Sequence, residues 1–280
     1  MAFIQFDAKT HPGRVRDHNE DNIFGSADSN LWVVADGMGG HACGEVASEI
    51  VVKRLRSSYS EGETLSAAIE LAHEAVTQEA EVNQRAKGMG ATVVAMSTAN
   101  QQYTISWVGD SRAYRLRNNQ LELLTRDHSY LEWLKDNGIT VEEARKHPKR
   151  NVITQSIGVG EPNPDTVTGS FEPGDRYLLC SDGLNDELTD EEICALLRSS
   201  ENSDVVTQTL IDAALDSGGR DNISVIVVDI DPQSRKAAPV VSADALKSAL
   251  KSDSAKKTWL PIVGGVAAAI IFAVVLVMLK

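Results

Sequence analysis

The sequence predicts an α+β domain in which helices cover an antiparallel sheet, and two features predict this class. Two long segments, 44–57 and 63–85, repeat apolar residues at helical spacing after an apolar segment that is typical of a buried strand. Four short apolar segments then follow, separated by polar turns of two or three residues, which is typical of antiparallel hairpins. A chain of 280 residues with 42% hydrophobic residues is long enough to bury a sizeable core.

The first predicted strand, 31–35, is rich in β-branched and aromatic residues and is expected to end on Asp36. Glycines follow at positions 37, 39 and 40, and they let the backbone approach a ligand closely. Asp36 and a neighbouring carbonyl group would then face one bound cation. A strand that simply ends in a tight turn is the competing interpretation.

The segment 13–22 precedes this strand and is strongly polar. Arg16 offers a guanidinium group for phosphate oxygens, while Glu20 and Asp21 offer two carboxylates. A solvated loop is the alternative interpretation. We expect this segment to lie near Asp36 in the fold.

Three more aspartates stand beside predicted strands further along the chain. Asp110 follows the strand at 102–109, Asp182 follows an apolar strand that begins at Arg176, and Asp221 precedes the final strand. The remaining strands are predicted at 91–98, 113–117, 121–124 and 223–230, and the remaining helices at 190–198 and 204–215.

The region from 126 to about 172 has a weaker pattern. A short helix is expected at 127–137, and irregular loops are expected at 146–150 and 158–164. Long loops in compact domains often carry function, so this region is a candidate lid or substrate-recognition flap. Its two histidines, His128 and His147, are interpreted as surface residues.

Composition limits the function further. A formal net charge of −13 argues against a general nucleic-acid binder, because neutralising phosphates requires a basic surface. The three cysteines are widely spaced and lack zinc-ligand spacing, so they are expected to be reduced thiols. The first nine residues contain Asp7 and have no long apolar run, so they do not predict a secretory signal.

The C-terminal segment 259–279 contains no charged residue and would span about 31 Å as a helix, which is roughly the thickness of a bilayer core. It predicts a transmembrane helix rather than a buried core helix, since no polar stripe is visible. Most of the nearby lysines precede the segment, which favours a single-pass protein of the cytoplasmic (inner) membrane whose folded domain lies in the cytoplasm. The predicted divisions are a folded domain at 1–231, a flexible juxtamembrane linker at 232–258 and the helix at 259–279.

The acidic residues supply hard oxygen ligands without an imidazole or thiolate cluster, which favours Mg²⁺ or Mn²⁺ over zinc or copper. Two such ions bridged by one carboxylate would activate a water for in-line attack on phosphorus, and Arg16 would bind the non-bridging phosphate oxygens. The residues alone therefore predict a two-metal phosphoester hydrolase. The alternative is that each aspartate is a separate turn residue.

The ordered motifs of this chain resemble those of a known family. They are Arg16 with Glu20-Asp21, the segment 34–41 (VADGMGGH), 90–92 (GAT), 108–114 (VGDSRAY), 179–184 (LCSDGL) and 219–224 (GRDNIS). In this order they resemble the metal-dependent type 2C (PPM) serine/threonine protein phosphatases in their bacterial form, over residues 7 to 230. The resemblance implies a β-sandwich of two antiparallel sheets flanked by helical layers, with the metals at one end of the sandwich.

The resemblance also assigns roles by position. Asp36 resembles the aspartate that bridges two ions, Gly37 the residue whose carbonyl is a ligand, and Asp182 and Asp221 the further ligands of the first ion. Asp36 and Arg16 are thus the residues expected to carry catalysis.

The second ion and the phosphate are assigned in the same way. Glu20 and Asp21 would bind the second ion or orient waters on it, and Arg16 matches the phosphate-binding arginine. Asp110, with Asp182, resembles the site of a third, weaker ion in bacterial members. The loop before Asp182 matches the flap that influences substrate choice.

One residue departs from the pattern. Animal members carry a histidine directly after the Asp-Gly pair, proposed as the general acid, and Met38 occupies that place here. Bacterial members often share the substitution. His41 lies three residues further on, and a metal-bound water is the preferred proton source.

The function expected from the sequence is hydrolysis of phosphoserine and phosphothreonine in proteins, opposing a cytoplasmic serine/threonine kinase. One alternative is a catalytically weak adaptor that captures phosphoproteins at the membrane, which would not need tightly bound paired ions. A second alternative is a phosphatase of one dedicated small regulator.

Overall fold

A computed structural model describes residues 3–39, 43–83, 86–149 and 152–234. These residues all belong to one compact unit that comprises residues 1–243. The predicted linker beyond Ser234, the predicted membrane helix and His41 lie outside the described residues. Along the described chain, no helix is long and apolar enough to cross a membrane.

The described residues contain eleven strands, which in chain order are β1 (Ile4–His11), β2 (Asp21–Ser26), β3 (Leu31–Met38), β4 (Gly90–Ala91), β5 (Val93–Ala99), β6 (Gln102–Val108), β7 (Arg112–Arg117), β8 (Gln120–Leu123), β9 (Asp165–Ser170), β10 (Arg176–Cys180) and β11 (Ile223–Ile230). They also contain seven α-helices, which are α1 (Cys43–Ser60), α2 (Leu65–Val82), α3 (Tyr130–Asp136), α4 (Val141–Lys146), α5 (Asp182–Asn185), α6 (Asp190–Leu197) and α7 (Ser203–Ser217).

The strands form two antiparallel sheets. One has the order β1-β11-β10-β7-β8, and the other has the order β2-β3-β5-β6-β9 with β4 paired to β3. Side chains of both sheets, among them Trp32, Met96, Tyr177 and Ile226, meet in one buried cluster. The two sheets therefore pack face to face as a sandwich, as the family resemblance implies.

Helices cover the outer faces of this sandwich. A second buried cluster joins Val33 and Ala95 of one sheet to Val51 of α1 and Ile69 of α2. Helix α7 packs on β1 and β11 of the other sheet. The α+β class with helical layers is thus confirmed for the described residues.

The first five residues of strand β3, 31–35, are all apolar because both faces of the strand are buried there. Leu31, Val33 and Ala35 lie in the cluster shared with the helices, while Trp32 and Val34 lie in the cluster between the sheets. Successive side chains of a strand point to opposite faces, so a strand buried on both faces is apolar throughout. The site residues Asp36 and Gly37 follow this buried segment in the same strand.

The predicted end of this strand at Asp36 is wrong. Strand β3 continues to Met38, because Gly37 and Met38 pair with Ala91 and Gly90 of the short strand β4. Asp36 consequently lies inside a strand, and its backbone conformation is fixed by neighbours on both sides.

The region before Asp182 is also more ordered than the sequence indicates. Helix α4 and strand β9 lie in this region, where the sequence predicted no element besides the helix at 127–137. Helix α3 begins only at Tyr130, after Ser129 caps it by accepting a hydrogen bond from the Glu132 amide. Strand β9 is half-exposed at the edge of its sheet. Its sequence therefore lacks the apolar residues that mark an inner strand.

Candidate functional site

Asp21 and Asp36 face each other across neighbouring strands. They are directly paired in the antiparallel register of β2 and β3. The Gly37 amide donates to the Glu20 carbonyl at 3.1 Å, and the Thr92 amide donates to the Asp36 carbonyl at 2.8 Å. The sheet itself therefore brings the predicted ligands Glu20, Asp21 and Asp36 together.

Asp182 and Asp221 come from the ends of two neighbouring strands in the other sheet. Asp182 begins α5 just after β10, and Asp221 precedes β11. A Cβ atom on Gly183 would lie 2.0 Å from the Asn222 carbonyl oxygen, so glycine permits the close contact between these segments. The packing of the two sheets then brings all these carboxylates to one end of the sandwich.

The carboxylates of the site lie close enough to repel one another. Burial raises the pKa of Asp36 well above its ordinary range, and repulsion from Asp21, Asp182, Asp110 and Asp221 raises it further. This mutual repulsion shows that the structure brings five of the predicted aspartates together, although they are spread over 200 positions of the chain.

Burial also raises the pKa of three other members. The pKa of Asp21 rises to about 6, mainly through burial and with a contribution from Asp221. The pKa of Asp110 rises to about 7 through burial and repulsion by Asp127. Burial and Asp110 together raise the pKa of Asp182 well above its ordinary range. The site therefore concentrates negative charge that Arg16 and Arg112 offset only in part.

Three buried oxygens of this group have no hydrogen-bond partner: Oδ1 of Asp21, Oδ1 of Asp110 and Oδ1 of Asp182. An unpaired buried carboxylate oxygen is costly, because it has lost water without gaining a donor. Hard divalent cations bind such oxygens. The residues present therefore fit Mg²⁺ or Mn²⁺.

Within the described ranges, no three histidine, cysteine or acidic side chains already converge as a set of metal ligands. Protein partners hold two of the carboxylates instead. Arg16 donates to Asp221 at 2.7 Å, and the Ser181 hydroxyl donates to Asp21 at 2.8 Å. The bond to Asp21 uses its Oδ2 atom and leaves its Oδ1 atom without a partner.

The Glu20 side chain packs against the first turn of helix α1. Its Oε1 atom lies where a Cβ on Gly44 would approach to 2.6 Å, and the Ser48 hydroxyl donates to the Glu20 carbonyl at 2.6 Å. The positive end of the helix favours a carboxylate there. Gly44 is thus a site residue that the sequence marked only as the start of a helix.

Arg16, the predicted phosphate ligand, stands at the edge of the carboxylate group. Its side chain is 54% exposed and pairs with Asp221 through an Nη2–Oδ2 distance of 2.7 Å. This hydrogen bond and the charge of Asp221 raise the pKa of the guanidinium above its ordinary value. Arg16 is accessible to a ligand on the side away from Asp221.

One prediction about the flap histidines is wrong. His128 is 8% exposed, and its Nδ1 atom accepts a hydrogen bond from the Gly109 amide at 3.2 Å, directly before Asp110. Its Nε2 atom lies 3.2 Å from Asp165 of β9. His128 therefore connects the start of the flap region with the strand end that carries Asp110. Sequence spacing gives no sign of these contacts.

The chain was compared with known proteins. The family described as Protein phosphatase 2C matches residues 13–213. A serine/threonine protein phosphatase PstP of Mycobacterium tuberculosis is 38% identical over 81% of this chain, which spans 45% of that relative's length. A serine/threonine phosphatase stp of Listeria welshimeri is 38% identical over 79% of this chain and 94% of its own length.

A solved structure supports the same assignment. The catalytic domain of PstP in complex with two manganese ions matches with a TM-score of 0.73 and 35% identity, over 82% of this chain and 99% of that one. The fold, the ordered motifs and the relatives all agree, and the chain belongs to the protein phosphatase 2C family.

Proposed function

We propose that this chain hydrolyses phosphoserine and phosphothreonine in proteins with the help of two bound Mn²⁺ or Mg²⁺ ions. The observation that carries the proposal is the group of buried, mutually repelling carboxylates with unpartnered oxygens, beside one exposed arginine. Membership of the phosphatase family supports it.

Each residue has a distinct task in this proposal. Asp36 would hold both ions, the Gly37 carbonyl would be a further ligand, and Asp182 and Asp221 would hold the first ion. Glu20 and Asp21 would hold the second ion or orient waters on it. Asp110 and Asp182 would form a weaker third site.

When bound, the ions supply an activated water nucleophile and offset the negative charge of the phosphate. Arg16 binds the non-bridging phosphate oxygens through its planar fork, and to do so it exchanges part of its contact with Asp221 for the substrate. Met38 has no ionisable group, so it takes no part in moving the proton to the leaving alkoxide.

The proposal is tested by assaying the purified protein with a phosphothreonine peptide and with an aryl phosphate. Hydrolysis that requires Mn²⁺ or Mg²⁺ and disappears in Asp36→Asn is the expected result. The absence of metal-dependent hydrolysis of both substrates would overturn the proposal. Binding of a phosphopeptide without turnover and without tight binding of paired ions would instead favour the adaptor.

We further propose that residues 259–279 anchor the protein in the cytoplasmic membrane and that the catalytic domain opposes a cytoplasmic serine/threonine kinase. The support is the uncharged segment and the lysines that precede it. The full-length protein should remain in membranes after alkaline extraction, whereas Ile270→Arg combined with Ile271→Arg should release it. A wild-type protein in the soluble fraction would contradict the anchor.

A further inference from the structure

One side-chain amide closes the base of the loop that carries Arg16. The Nδ2 atom of Asn222 donates to the Pro12 carbonyl at 3.0 Å and to the His18 carbonyl at 2.9 Å. Its Oδ1 atom accepts from the Glu20 amide at 2.8 Å. These three bonds fix both ends of the loop on one buried residue, which is 5% exposed.

Other contacts hold the loop against the same strand entrance. The Arg14 amide donates to the Gly219 carbonyl at 2.7 Å. Gly13 has a φ of +81°, and a Cβ atom there would lie 2.2 Å from the Asp221 carbonyl oxygen. The loop therefore lies directly on the segment that carries Asp221.

We propose that Asn222 is a positioning residue that fixes the loop at 12–20, which carries Arg16, relative to the metal ligands. Asn222 directly follows Asp221 in the chain. The residue that positions Arg16 and a proposed metal ligand are therefore neighbours in the same segment. The proposal rests on the proposed function, in which Arg16 binds the phosphate group.

The contacts of Glu20 separate this role from a general role in the metal site. Glu20 has two hydrogen bonds that do not involve Asn222, since its carbonyl accepts from the Gly37 amide at 3.1 Å and from the Ser48 hydroxyl at 2.6 Å. Glu20 therefore keeps its place without Asn222, whereas Pro12 and His18 lose the amide that joins them. Removal of Asn222 is expected to weaken phosphate binding more than metal binding.

The experiment compares Asn222→Ala with the wild type in the full-length protein. We expect KM for an aryl phosphate and the inhibition constant of inorganic phosphate to rise about tenfold, which is roughly the net contribution of one intramolecular hydrogen bond. We expect kcat and the Mn²⁺ dissociation constant to change less than about threefold by the same reasoning. Asn83→Ala, an asparagine exchange at the end of α2, is the matched control and should change none of these values.

A second measurement does not depend on turnover. Hydrogen exchange of the amides at 13–20 should become faster in Asn222→Ala and remain unchanged in Asn83→Ala. If wild-type protein lacks metal-dependent hydrolysis, the proposed function fails, while this exchange measurement still tests the loop contact directly.

Two further variants complete the test. In an Arg16→Ala background, Asn222→Ala should cause no additional loss of phosphate affinity, because its effect acts through Arg16. Gly13→Ala should reproduce the weaker phosphate binding by pushing the loop away from Asp221, and it serves if Asn222→Ala does not fold. Additive losses, unchanged exchange at 13–20 or a loss confined to Mn²⁺ affinity would each overturn the proposal.

Discussion

Asp21 and Asp36 are directly opposite each other in the register of β2 and β3. Like charges at opposite positions of neighbouring strands destabilise a sheet. Burial increases that cost, since both pKa values are raised. The pair is favourable only when a cation or a proton offsets its charge.

The first prediction is that divalent cations stabilise the fold. A saturating concentration of Mn²⁺, about 100 times its dissociation constant, should raise the melting temperature by roughly 5 to 10 °C. Differential scanning fluorimetry measures the shift. Asp36→Asn should abolish most of it, while Asp136→Asn on the surface of α3 should keep it. An equal shift in Asp36→Asn would show that Mn²⁺ acts elsewhere.

The second prediction concerns pH. The pKa values of Asp21 and Asp110 rise to about 6 and about 7, above the unfolded value of about 4. Between about pH 4 and about pH 7 the folded state binds more protons than the unfolded chain, so the unfolding free energy falls as pH rises.

Urea unfolding of chelator-treated protein should therefore show that the free energy of unfolding falls by about 4 kcal/mol between pH 5 and pH 8. Asp110→Asn removes one of the raised carboxyls, so it should flatten the profile. A metal-free protein whose stability does not depend on Asp110 in this way would contradict the electrostatic account.

The third prediction tests the phosphate ligand. Arg16→Ala should lower kcat/KM for an aryl phosphate about 100-fold, because a charged hydrogen-bonding partner of the phosphate is lost. Arg14→Ala is the matched control, since Arg14 pairs with Asp216 at 3.5 Å and with the Leu215 carbonyl instead. Equal losses in both variants would remove the special role of Arg16.

The fourth prediction tests the contact between the Glu20 carboxylate and Gly44. Gly44→Ala places a Cβ 2.6 Å from the Glu20 carboxylate. Displacement of this side chain should weaken Mn²⁺ binding about tenfold, measured by calorimetry, as expected for a disturbed ligand shell. Ser57→Ala, further along α1, should bind Mn²⁺ like the wild type. An unaffected Gly44→Ala would show that Glu20 is not a ligand.

The sequence predicted most of the core and the acidic group, because apolar periodicity and aspartates beside strands are local patterns. Strand β3 is an example, since its residues 31–35 are buried on both faces as their composition indicates. The pattern failed at Asp36, where pairing with the distant strand β4 extends the strand. Local patterns also missed β9, because an exposed edge strand needs few apolar residues.

The residues that the sequence missed act through contacts between distant segments. Asn222 binds Pro12 and His18 more than 200 positions away, and Gly44 contacts Glu20. Neither residue type at its position predicts such a contact. His128 looked like a surface residue for the same reason, although it binds the Gly109 amide. The tertiary fold brings these partners together.

The central claim is that Asp36 and its neighbouring carboxylates form one metal-binding site. Calorimetric titration of Mn²⁺ into the full-length wild-type protein and into Asp36→Asn tests it most directly. The account predicts two tightly bound ions per wild-type chain and loss of both in the variant, since Asp36 is the shared ligand. Two tightly bound ions in Asp36→Asn, or no tight Mn²⁺ binding in the wild type, would contradict it.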